Sequence, residues 1–488
     1  MRLHLSSFFS FLKKNLLPNK EDIEILKNSS ASKSKIFLIL SFFLSAILFL
    51  NILMYISATF SQEVPDYGGF ITEGVIGAPK YINPLLATTE TDLLLTDLVY
   101  AGLMKKNDDN TLSPYLAKSC ESSPDGKSYQ CILPESAVFS DKSIFTSDDV
   151  VFTFETKQKL VLEKDPTSNW SSITIAALDL RTVVIKTSDS PESLKDKLTL
   201  GIVPKALWGP VPLDRITDSV LNMNPVGIGP FVLDKVKIIN TIPTEVTLNY
   251  NHKWTGQRPF VDKIIVHSYA NQLDLKSGLK NGSINSTSSL RGISIDETIE
   301  KDFVITTIPN KKVVGLFINK KELGSKNEKF LKSIEVLVDK KNIVDTIENG
   351  YGILPSSEEG KSPTNLSQTT QITIAVQKDT DLIKTAELLS TNLKDFGIIS
   401  TVKVFDQGLF NDRLDIGEYS YILGTNIDDY KEYQLLLPLY TKSIVQINSK
   451  DIHVRTPQLV ESPHESLREV ISWYKNTDFV WKWFIDKK

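Results

Sequence analysis

The sequence lacks the residue patterns that most enzymes and metalloproteins need. Its five histidines are scattered over 488 residues and share no metal-ligand spacing with one another or with the two cysteines. It contains no Gly-x-Ser-x-Gly motif, no phosphate-binding loop and no dinucleotide fingerprint. It also contains no internal repeat and no low-complexity segment. We therefore expect a binding protein that is not an enzyme and that holds no metal and no cofactor.

Charge is missing from one stretch near the N-terminus. Residues 36–60 are uncharged and mostly apolar, a run long enough to cross a bilayer of about 30 Å, whereas a cleaved signal peptide has an apolar core of roughly 7–15 residues. Residues 1–35 carry seven Lys and Arg against three acids, and Glu63 and Asp66 follow the run. This pattern predicts a single transmembrane helix over 36–60 in the plasma membrane. Residues 1–35 would be cytoplasmic, and the bulk of the chain would be extracytoplasmic, in a periplasm or at the cell surface.

The rest of the chain has an ordinary globular composition. The whole sequence is 41% hydrophobic and 23% charged, and its length exceeds what a single core supports. Acidic residues outnumber basic ones after residue 60, which argues against nucleic acid as a partner. We expect 61–69 to be a short tether and the residues from 70 onward to form more than one domain.

The only two cysteines, Cys120 and Cys131, flank a strong hairpin signal, Ser123-Pro-Asp-Gly126. With a two-residue turn they would lie directly opposite each other, with Cβ atoms about 4.5–5.5 Å apart. An extracytoplasmic location permits a disulfide. Two buried thiols are the alternative, and a bulged three-residue turn would shift the register by one residue and weaken the case for the bond.

The stretch Asn224-Pro-Val-Gly-Ile-Gly-Pro230 places glycine and proline inside an apolar run, which excludes a helix and predicts a strand entered through a sharp corner. The glycines allow either positive φ or a close backbone approach. Alternating strands are predicted at 245–250 and 263–268. This stretch is either a β-meander within one core or the corner at which one lobe passes to another.

The apolar period changes after residue 313. Strands are predicted at 371–376, 398–405 and 419–423. A helix between the first two begins at Asp379 or Thr380 and ends at Gly397. This β-α-β unit predicts parallel strands and a right-handed crossover. In the tail, Ser462-Pro-His-Glu465 has the form of a capping box and predicts another helix.

Several segments, taken in chain order, resemble the family 5 extracellular solute-binding proteins, the oligopeptide-, dipeptide- and nickel-binding subunits of ABC importers. The matching segments cover about residues 70–425. They include Ile82-Asn-Pro-Leu85, Ser123-Pro-Asp-Gly-Lys-Ser-Tyr129, Thr146-Ser-Asp-Asp-Val-Val-Phe-Thr153, Asn224 to Pro230, Gly256-Gln-Arg-Pro259 and Leu393-Lys-Asp-Phe-Gly-Ile398. The order and spacing of these segments identify the chain as a member of that family.

The resemblance implies an α/β fold, a two-lobed periplasmic-binding-protein-like clamshell with an inserted subdomain, here preceded by one transmembrane helix. Residues 70–270 would form lobe 1, with the inserted subdomain at about 110–220. Residues 271–425 would form lobe 2, and residues 426–488 would return to lobe 1. Two hinge segments, near 270–312 and 420–430, would join the lobes.

The resemblance also implies a ligand site at the end of the strand predicted at 419–423. Family members bind the amino group of a peptide with an aspartate in a Gly-Trp-x-x-Asp-Tyr loop, and the corresponding segment here is Gly-Thr-Asn-Ile-Asp-Asp-Tyr at 424–430. A carboxylate paired with an ammonium ion in a closed cleft is a suitable anchor, and a solvated acidic turn is the alternative. The predicted ligand-binding residues of this loop are Gly424, Thr425, Asn426, Asp428 and Asp429.

A second ligand-lining segment of the family matches Gly77, Ala78 and Tyr81, where main-chain groups would pair with an extended ligand. The implied function is capture of short peptides, or of another small extended solute, and delivery to the permease subunits of an ABC transporter. The sequence departs from the family in three respects: a transmembrane helix replaces a lipid anchor, Thr425 replaces the loop tryptophan, and tens of residues after Tyr430 are missing. A transport-independent surface sensor or interaction protein on the same scaffold is therefore the alternative.

Overall fold

The computed structural model describes residues 32–107, 111–290, 295–322, 338–355, 370–415, 419–425, 432–460, 462–467 and 469–481. The chain divides into two compact units. One consists of Met1–Pro65 with Thr477–Lys488, and the other is Asp66–Asn476.

Helices begin where side chains can satisfy the first free N–H groups. Thr89, Asn271 and Asp379 each accept a hydrogen bond from the first turn of the helix that follows. The α-helices are α1 (Ser32–Phe60), α2 (Glu90–Val99), α3 (Ser147–Lys164), α4 (Pro191–Lys195), α5 (Lys205–Trp208), α6 (Gln272–Lys280), α7 (Glu297–Asp302), α8 (Lys340–Ile347), α9 (Thr380–Lys394) and α10 (Gln407–Asp415).

The strands are mostly short, but two of them run for 17 residues. They are β1 (Ser61–Asp66), β2 (Phe70–Ile76), β3 (Met104–Lys106), β4 (Leu112–Pro114), β5 (Ser119–Ser122), β6 (Ser128–Ile132), β7 (Ile173–Asp179), β8 (Thr182–Thr187), β9 (Phe231–Ile239), β10 (Ile242–Tyr250), β11 (Lys263–Tyr269), β12 (Ser286–Thr287), β13 (Phe303–Asn319), β14 (Thr370–Gln377), β15 (Ile398–Phe405), β16 (Tyr421–Thr425), β17 (Tyr433–Ser449) and β18 (Asn476–Trp481).

The first unit contains α1 and a two-stranded sheet of β1 and β18. β1 occupies most of the segment 61–69 that the sequence predicts to be a tether. Among the described residues, no helix combines the length and the apolarity that a membrane crossing requires. The transmembrane helix over 36–60 stays a prediction.

The second unit is built on a ten-stranded sheet with the order β15-β14-β16-β13-β17-β12-β2-β11-β10-β9. β2 runs parallel to β11 and β12, and β14 runs parallel to β15 and β16. The segment β14–α9–β15 is the predicted β-α-β unit, with Gly397 at a φ of 81° just after the helix. The strand–helix–strand order and the parallel pairing are confirmed.

Separate hydrophobic cores divide the second unit into two halves. The larger half, 66–308 with 444–476, contains cores built on α2, α3 and α6. The smaller half, 313–442, contains cores built on α8, α9 and α10. β13 and β17 contribute to both halves, and their pairing is interrupted between Pro309 and Val313.

In the described part of the chain, the backbone crosses between the halves at 309–312 and at 441–443. The first crossing lies inside the predicted hinge segment 270–312. The second lies beyond the predicted segment 420–430, because β17 is one continuous strand that serves both halves.

β9, β10 and β11 form an antiparallel meander at one edge of the large sheet, so the meander interpretation is confirmed. The glycines before it are required by close packing, because a Cβ at Gly227 would lie 2.0 Å from the Val99 carbonyl oxygen. The Gly229 N–H donates to the same carbonyl at 2.8 Å. The meander is thereby fixed against the end of α2.

A second, four-stranded sheet with the order β5-β6-β8-β7 lies within the predicted subdomain. Cys120 and Cys131 are directly opposite each other in the β5–β6 register, and a disulfide joins them. Phe139, Phe145 and Phe154 are fully buried in the core beneath this sheet.

The helix predicted from the capping box at Ser462 is wrong. Two short 3-10 turns, Pro463–Leu467 and Val470–Ser472, occupy that part of the tail. The hydroxyls of Ser466 and Ser472 donate to nearby backbone carbonyls, and such local bonds compete with an α-helix. Packing of Leu467 and Val470 into the core of the larger half also overrides the helical pattern.

Candidate functional site

The first predicted ligand segment begins where β2 ends. Gly77 has a φ of 90°, a conformation that glycine adopts without strain. Its N–H donates to the Tyr269 carbonyl at 2.9 Å, and its own carbonyl accepts from the Thr91 hydroxyl at 2.9 Å. The backbone at Gly77, where the chain leaves the sheet, is therefore held by hydrogen bonds to β11 and to α2.

Asp92, in the first turn of α2, holds the next residues. Its Oδ1 accepts the N–H groups of Lys80 at 2.7 Å and of Tyr81 at 2.9 Å, and the side chain is fully buried. Two bonds from a carboxylate to backbone amides are stronger than neutral ones. Ala78 and Tyr81 are partly exposed, and the Lys80 ammonium lies 5.0 Å from the centre of the Tyr81 ring. Asp92 thus fixes the backbone of a segment whose side chains stay accessible to solvent.

The remainder of this loop is held from the opposite side. Lys157 of α3 donates to the carbonyls of Pro84 at 3.2 Å and Leu85 at 3.0 Å, and burial lowers the pKa of Lys157 to about 8. The buried amides of Asn83 and Asn222 bond to each other at 3.0 Å. Most surface loops have mobile backbones. Side chains from other segments hold this loop in one conformation, which is what a ligand-contacting loop needs.

His464 lies beside two carboxylates of α2, those of Glu90 and Asp97. His464 Nδ1 is 3.0 Å from Glu90 Oε2, and His464 Nε2 is 3.8 Å from Asp97 Oδ2. Burial alone would lower the pKa of His464, but the contact with Glu90, with Asp97 nearby, outweighs it and raises the pKa above its ordinary value. This cluster attaches the C-terminal return of the chain to α2.

The second predicted ligand segment begins at the end of β16, in the smaller half. Gly424 and Thr425 pair with Gly315 and Val314 of β13. Because β16 is parallel to β14, the chain leaves the sheet at the carboxyl edge, where ligands of open α/β sheets bind. Asn426, Asp428 and Asp429 lie outside the described residues, so the predicted carboxylate anchor stays a prediction.

A pocket of about 380 Å³ lies where the chain crosses between the halves. Its lining carries charges of both signs, and Lys442 lies 3.6 Å from Asp381. Residues from both crossings, from α8 and α9 of the smaller half and from α6 of the larger half contribute to it. Gly77, Ala78, Tyr81, Gly424 and Thr425, the predicted ligand-binding residues that the structure describes, do not line it. The lining residues are Gln272, Asn310, Thr346, Ile347, Glu348, Asp381, Lys384, Lys442, Ser443 and Ile444.

Asp92, Lys157 and Asn222 were missed in the sequence analysis. A signal existed for Asp92, because Thr89-Glu-Thr-Asp92 has the spacing of a capping box. The Thr89 hydroxyl does accept the Asp92 N–H at 3.1 Å, but the Asp92 carboxylate binds the 80–81 backbone. Lys157 and Asn222 are far from the loop in sequence, and no local pattern points to them.

The comparison with protein families agrees with this geometry. The family model described as bacterial extracellular solute-binding proteins, family 5, matches residues 111–368, which is more than half of the chain. The protein belongs to the family 5 extracellular solute-binding proteins.

Individual relatives are more distant. The oligopeptide-binding protein AppA of Bacillus subtilis is 25% identical over 311 residues, which cover 61% of this chain and 54% of that protein. The chain thus spans about half the length of the curated relatives it matches.

Solved structures show the fold. The ABC transporter substrate-binding protein CtaP of Listeria monocytogenes matches with a TM-score of 0.65 at 19% identity, over 84% of this chain and 100% of that one. The Bacillus subtilis AppA structure, in complex with a nonapeptide, matches with a TM-score of 0.57 at 16% identity, over 85% and 100% of the two chains. The fold is the α/β, two-lobed fold of periplasmic binding proteins, as predicted.

Proposed function

We propose that the protein captures short peptides in extended form between the two halves of its second unit and delivers them to the permease of an ABC transporter. The observation that carries the proposal is the joint between the halves. Two sets of cores are connected through β13 and β17, whose pairing is interrupted at the crossing. A joint of a few element residues that absorbs backbone rotation is what hinge closure around a ligand requires.

The relatives support peptide as the ligand. AppA of Bacillus subtilis is named an oligopeptide-binding protein, and its solved structure holds a nonapeptide. A Helicobacter pylori DppA structure with a TM-score of 0.57 holds a peptide as well. By analogy, this chain acts as a binding subunit and not as an enzyme.

In the proposed complex, the two halves contribute different contacts. The segment 77–81 of the larger half would contact the ligand through the main chain of Ala78 and through the Tyr81 ring, since Asp92, Thr91 and Tyr269 hold its other N–H groups and the Gly77 carbonyl. The loop after β16 would contribute the carboxylates of Asp428 and Asp429. A peptide ammonium ion enclosed beside a carboxylate gains a charge-assisted bond in a low dielectric. The lysines and acids of the pocket at the crossing provide charges of both signs near a zwitterionic ligand.

The test is native mass spectrometry of the purified protein after incubation with a mixture of tripeptides to octapeptides. We expect the wild type to retain peptide and the double variant Asp428→Ala/Asp429→Ala to bind roughly tenfold to a hundredfold more weakly, since a bond to a charged group contributes about 1.5–3 kcal/mol. The control is Asp345→Ala/Asp395→Ala, which removes two exposed acids from the same half. No peptide on the wild type, or equal losses in both double variants, would contradict the proposal.

The alternative is a transport-independent sensor or interaction protein on the same scaffold. The observation in its favour is that β17 begins at Tyr433, soon after β16 ends at Thr425, where the family has a long helical stretch. Only the first candidate requires a permease, so a permease partner distinguishes the two. Co-purification of permease subunits with the peptide-loaded protein supports delivery, and peptide binding without any permease partner supports the sensor.

We propose further that residues 36–60 anchor the protein in the plasma membrane, with the bulk of the chain extracytoplasmic. The support is the uncharged run in the sequence, preceded by basic and followed by acidic residues. In cells, we expect the protein to stay in the membrane fraction after alkaline extraction and to be degraded by protease added from outside. Release by alkali would contradict the anchor.

A further inference from the structure

The tip of the β9–β10 hairpin carries apolar side chains on both of its faces. Ile239 pairs with Ile242, and Ile238 pairs with Pro243, across a two-residue turn. Because successive residues of a strand point to opposite faces, Ile239 and Ile242 share one face and Ile238 lies on the other. The three isoleucines are 49%, 53% and 60% exposed in that order.

The hairpin extends beyond the core with a defined shape. Every residue from 237 to 242 is exposed, and the first fully buried residue of β10 is Val246. Asn240 and Thr241 both have positive φ, 49° and 68°, which is the two-residue hairpin turn that matches the twist of the strands. The apolar side chains are therefore presented at the end of a paired, regular element.

Positive charge lies directly behind the tip. The charged residues nearest the turn are two lysines, Lys235 and Lys237, and the first acids lie farther back, at the exposed Asp234 of β9 and at Glu245 of β10. Both lysines are exposed and share a strand face with Ile239. The acid that follows, Glu245, is opposite Lys237 and lies 3.6 Å from His267 Nε2.

We infer that this tip inserts into the surface of an anionic lipid bilayer. A flat protein surface docked on one face of the hairpin would leave the isoleucine on the other face in water, whereas tip-first insertion into a bilayer removes both faces from water at once. The three residues from Lys237 to the turn span about 10 Å, similar to the roughly 5–10 Å depth of interfacial segments. Lys235 and Lys237 would then lie at the level of the anionic headgroups.

A second exposed apolar hairpin provides the contrast. Leu178 and Leu180, at the β7–β8 turn, are 61% and 67% exposed. Asp179 lies between them in sequence. The Arg181 guanidinium donates to the carbonyls of Pro134 and Phe145, so this cation is engaged within the protein. This turn therefore combines exposed apolar side chains with an acid. We expect it not to insert into an anionic bilayer, because Asp179 and the headgroups repel each other.

The test places a fluorophore at each hairpin of the full chain. Because Cys120 and Cys131 are bonded to each other, a cysteine introduced by Ile239→Cys or by Leu180→Cys is the only free thiol. The labelled chains are reconstituted in vesicles of phosphatidylcholine with phosphatidylglycerol that carry brominated acyl chains. We expect strong quenching of the label at 239 and none of the label at 180. Absence of quenching at 239, or equal quenching at both positions, would overturn the inference.

Two further variants of the chain labelled at 239 separate the contributions. Ile238→Thr/Ile242→Thr keeps β-branched side chains in the hairpin but removes apolar surface, and we expect it to lose the quenching. Lys235→Gln/Lys237→Gln is expected to lose the difference between vesicles with and without phosphatidylglycerol. The melting temperature and peptide retention should be unchanged in both, so failure here is distinguishable from failure of the peptide-binding proposal. Protection of the label at 239 from an aqueous quencher by added permease, without quenching by the brominated acyl chains, would indicate a protein partner and contradict insertion into lipid.

Discussion

The larger and the smaller half of the second unit differ in what they bury. The larger half buries ionisable and amide side chains, among them Glu73, Asp92 and Asn222. In the described part of the smaller half, Asn319 and Thr385 are the buried polar residues, and the cores around α8, α9 and α10 are otherwise apolar.

The difference follows from the backbone. In the smaller half, β14 pairs with a strand on each side and α9 is a continuous helix, so their N–H and C=O groups need few side-chain partners and apolar side chains fill the core. In the larger half, long irregular segments such as 77–89 pass close to the core, and their backbone groups need side-chain partners. We therefore expect the smaller half to depend on apolar packing and the larger half to depend also on a few buried polar side chains.

The largest effect is expected from Leu389→Ala in α9. Leu389 is fully buried in the apolar core of the smaller half, and a Leu→Ala change at such a site costs about 2–5 kcal/mol. Hydrogen exchange should show loss of protection in β14, α9 and β15 while the larger half keeps its protection. Leu409→Ala is the control, because Leu409 is 47% exposed in the same half and should cost at most about 0.5 kcal/mol. Equal loss of protection in both halves would contradict their separate stability.

The next effect is expected from Asp92→Ala, at about 3 kcal/mol, because the N–H groups of Lys80 and Tyr81 lose a charged partner in a partly buried place. Urea unfolding measures the stability, and peptide retention should fall as well because the 80–81 backbone loses its support. Asp92→Asn keeps an oxygen acceptor and should recover most of both quantities. If the alanine variant binds peptide as well as the wild type, Asp92 does not position this loop.

The buried carboxyl of Glu73 should make the stability of the larger half depend on pH. Its carboxylate is fully buried in β2 and accepts the Ser288 N–H at 3.1 Å, and burial, only partly offset by bonds from Ser286 and Ser288, raises its pKa to about 7. The folded state therefore binds this proton more tightly than the unfolded state. The stabilising contribution is complete below the ordinary pKa of 4.5 and is lost as pH rises through about 7.

We expect the free energy of unfolding of Glu73→Gln, relative to the wild type, to rise by up to about 3 kcal/mol between roughly pH 4.5 and pH 7 and then to level off. Urea unfolding at a series of pH values measures it. Glu121→Gln, at an exposed position of the same half, is the matched control and should show no such slope. A pH-independent difference for Glu73→Gln would mean that this carboxyl titrates normally in the folded protein.

The smaller half could be predicted from the sequence better than the larger half, because more of its structure is encoded locally. The β-α-β unit of the smaller half follows from local signals: apolar periodicity, the Asp379 cap and Gly397 after the helix. In the larger half, β2 pairs with β11 nearly 200 residues later, as in Phe70 with Lys263, and no local pattern encodes such a pairing. The capping-box pattern at Ser462 failed because side-chain bonds and core packing outweighed helix propensity. In the candidate site, Gly77 and Tyr81 come from the family resemblance and stay predictions as ligand contacts. Asp92, which accepts the Tyr81 N–H, lies nearby in sequence and has a capping-box signal, whereas Lys157 and Asn222 come from distant segments.

The smallest effect is expected from Asp379→Ala. Like Asp92, Asp379 accepts two backbone N–H groups, those of Asp381 and Leu382, each at 2.9 Å, but Asp379 is exposed. Water can replace it, so loss of this helix cap should cost about 1 kcal/mol, and Asp379→Ser, which also caps, should recover most of it. Urea unfolding of the alanine variants of Asp92 and Asp379 then compares the same pair of bonds in a buried and in an exposed setting. An equal loss of stability in the two alanine variants would show that burial does not increase what such a pair of bonds contributes, and would contradict the contrast between the halves.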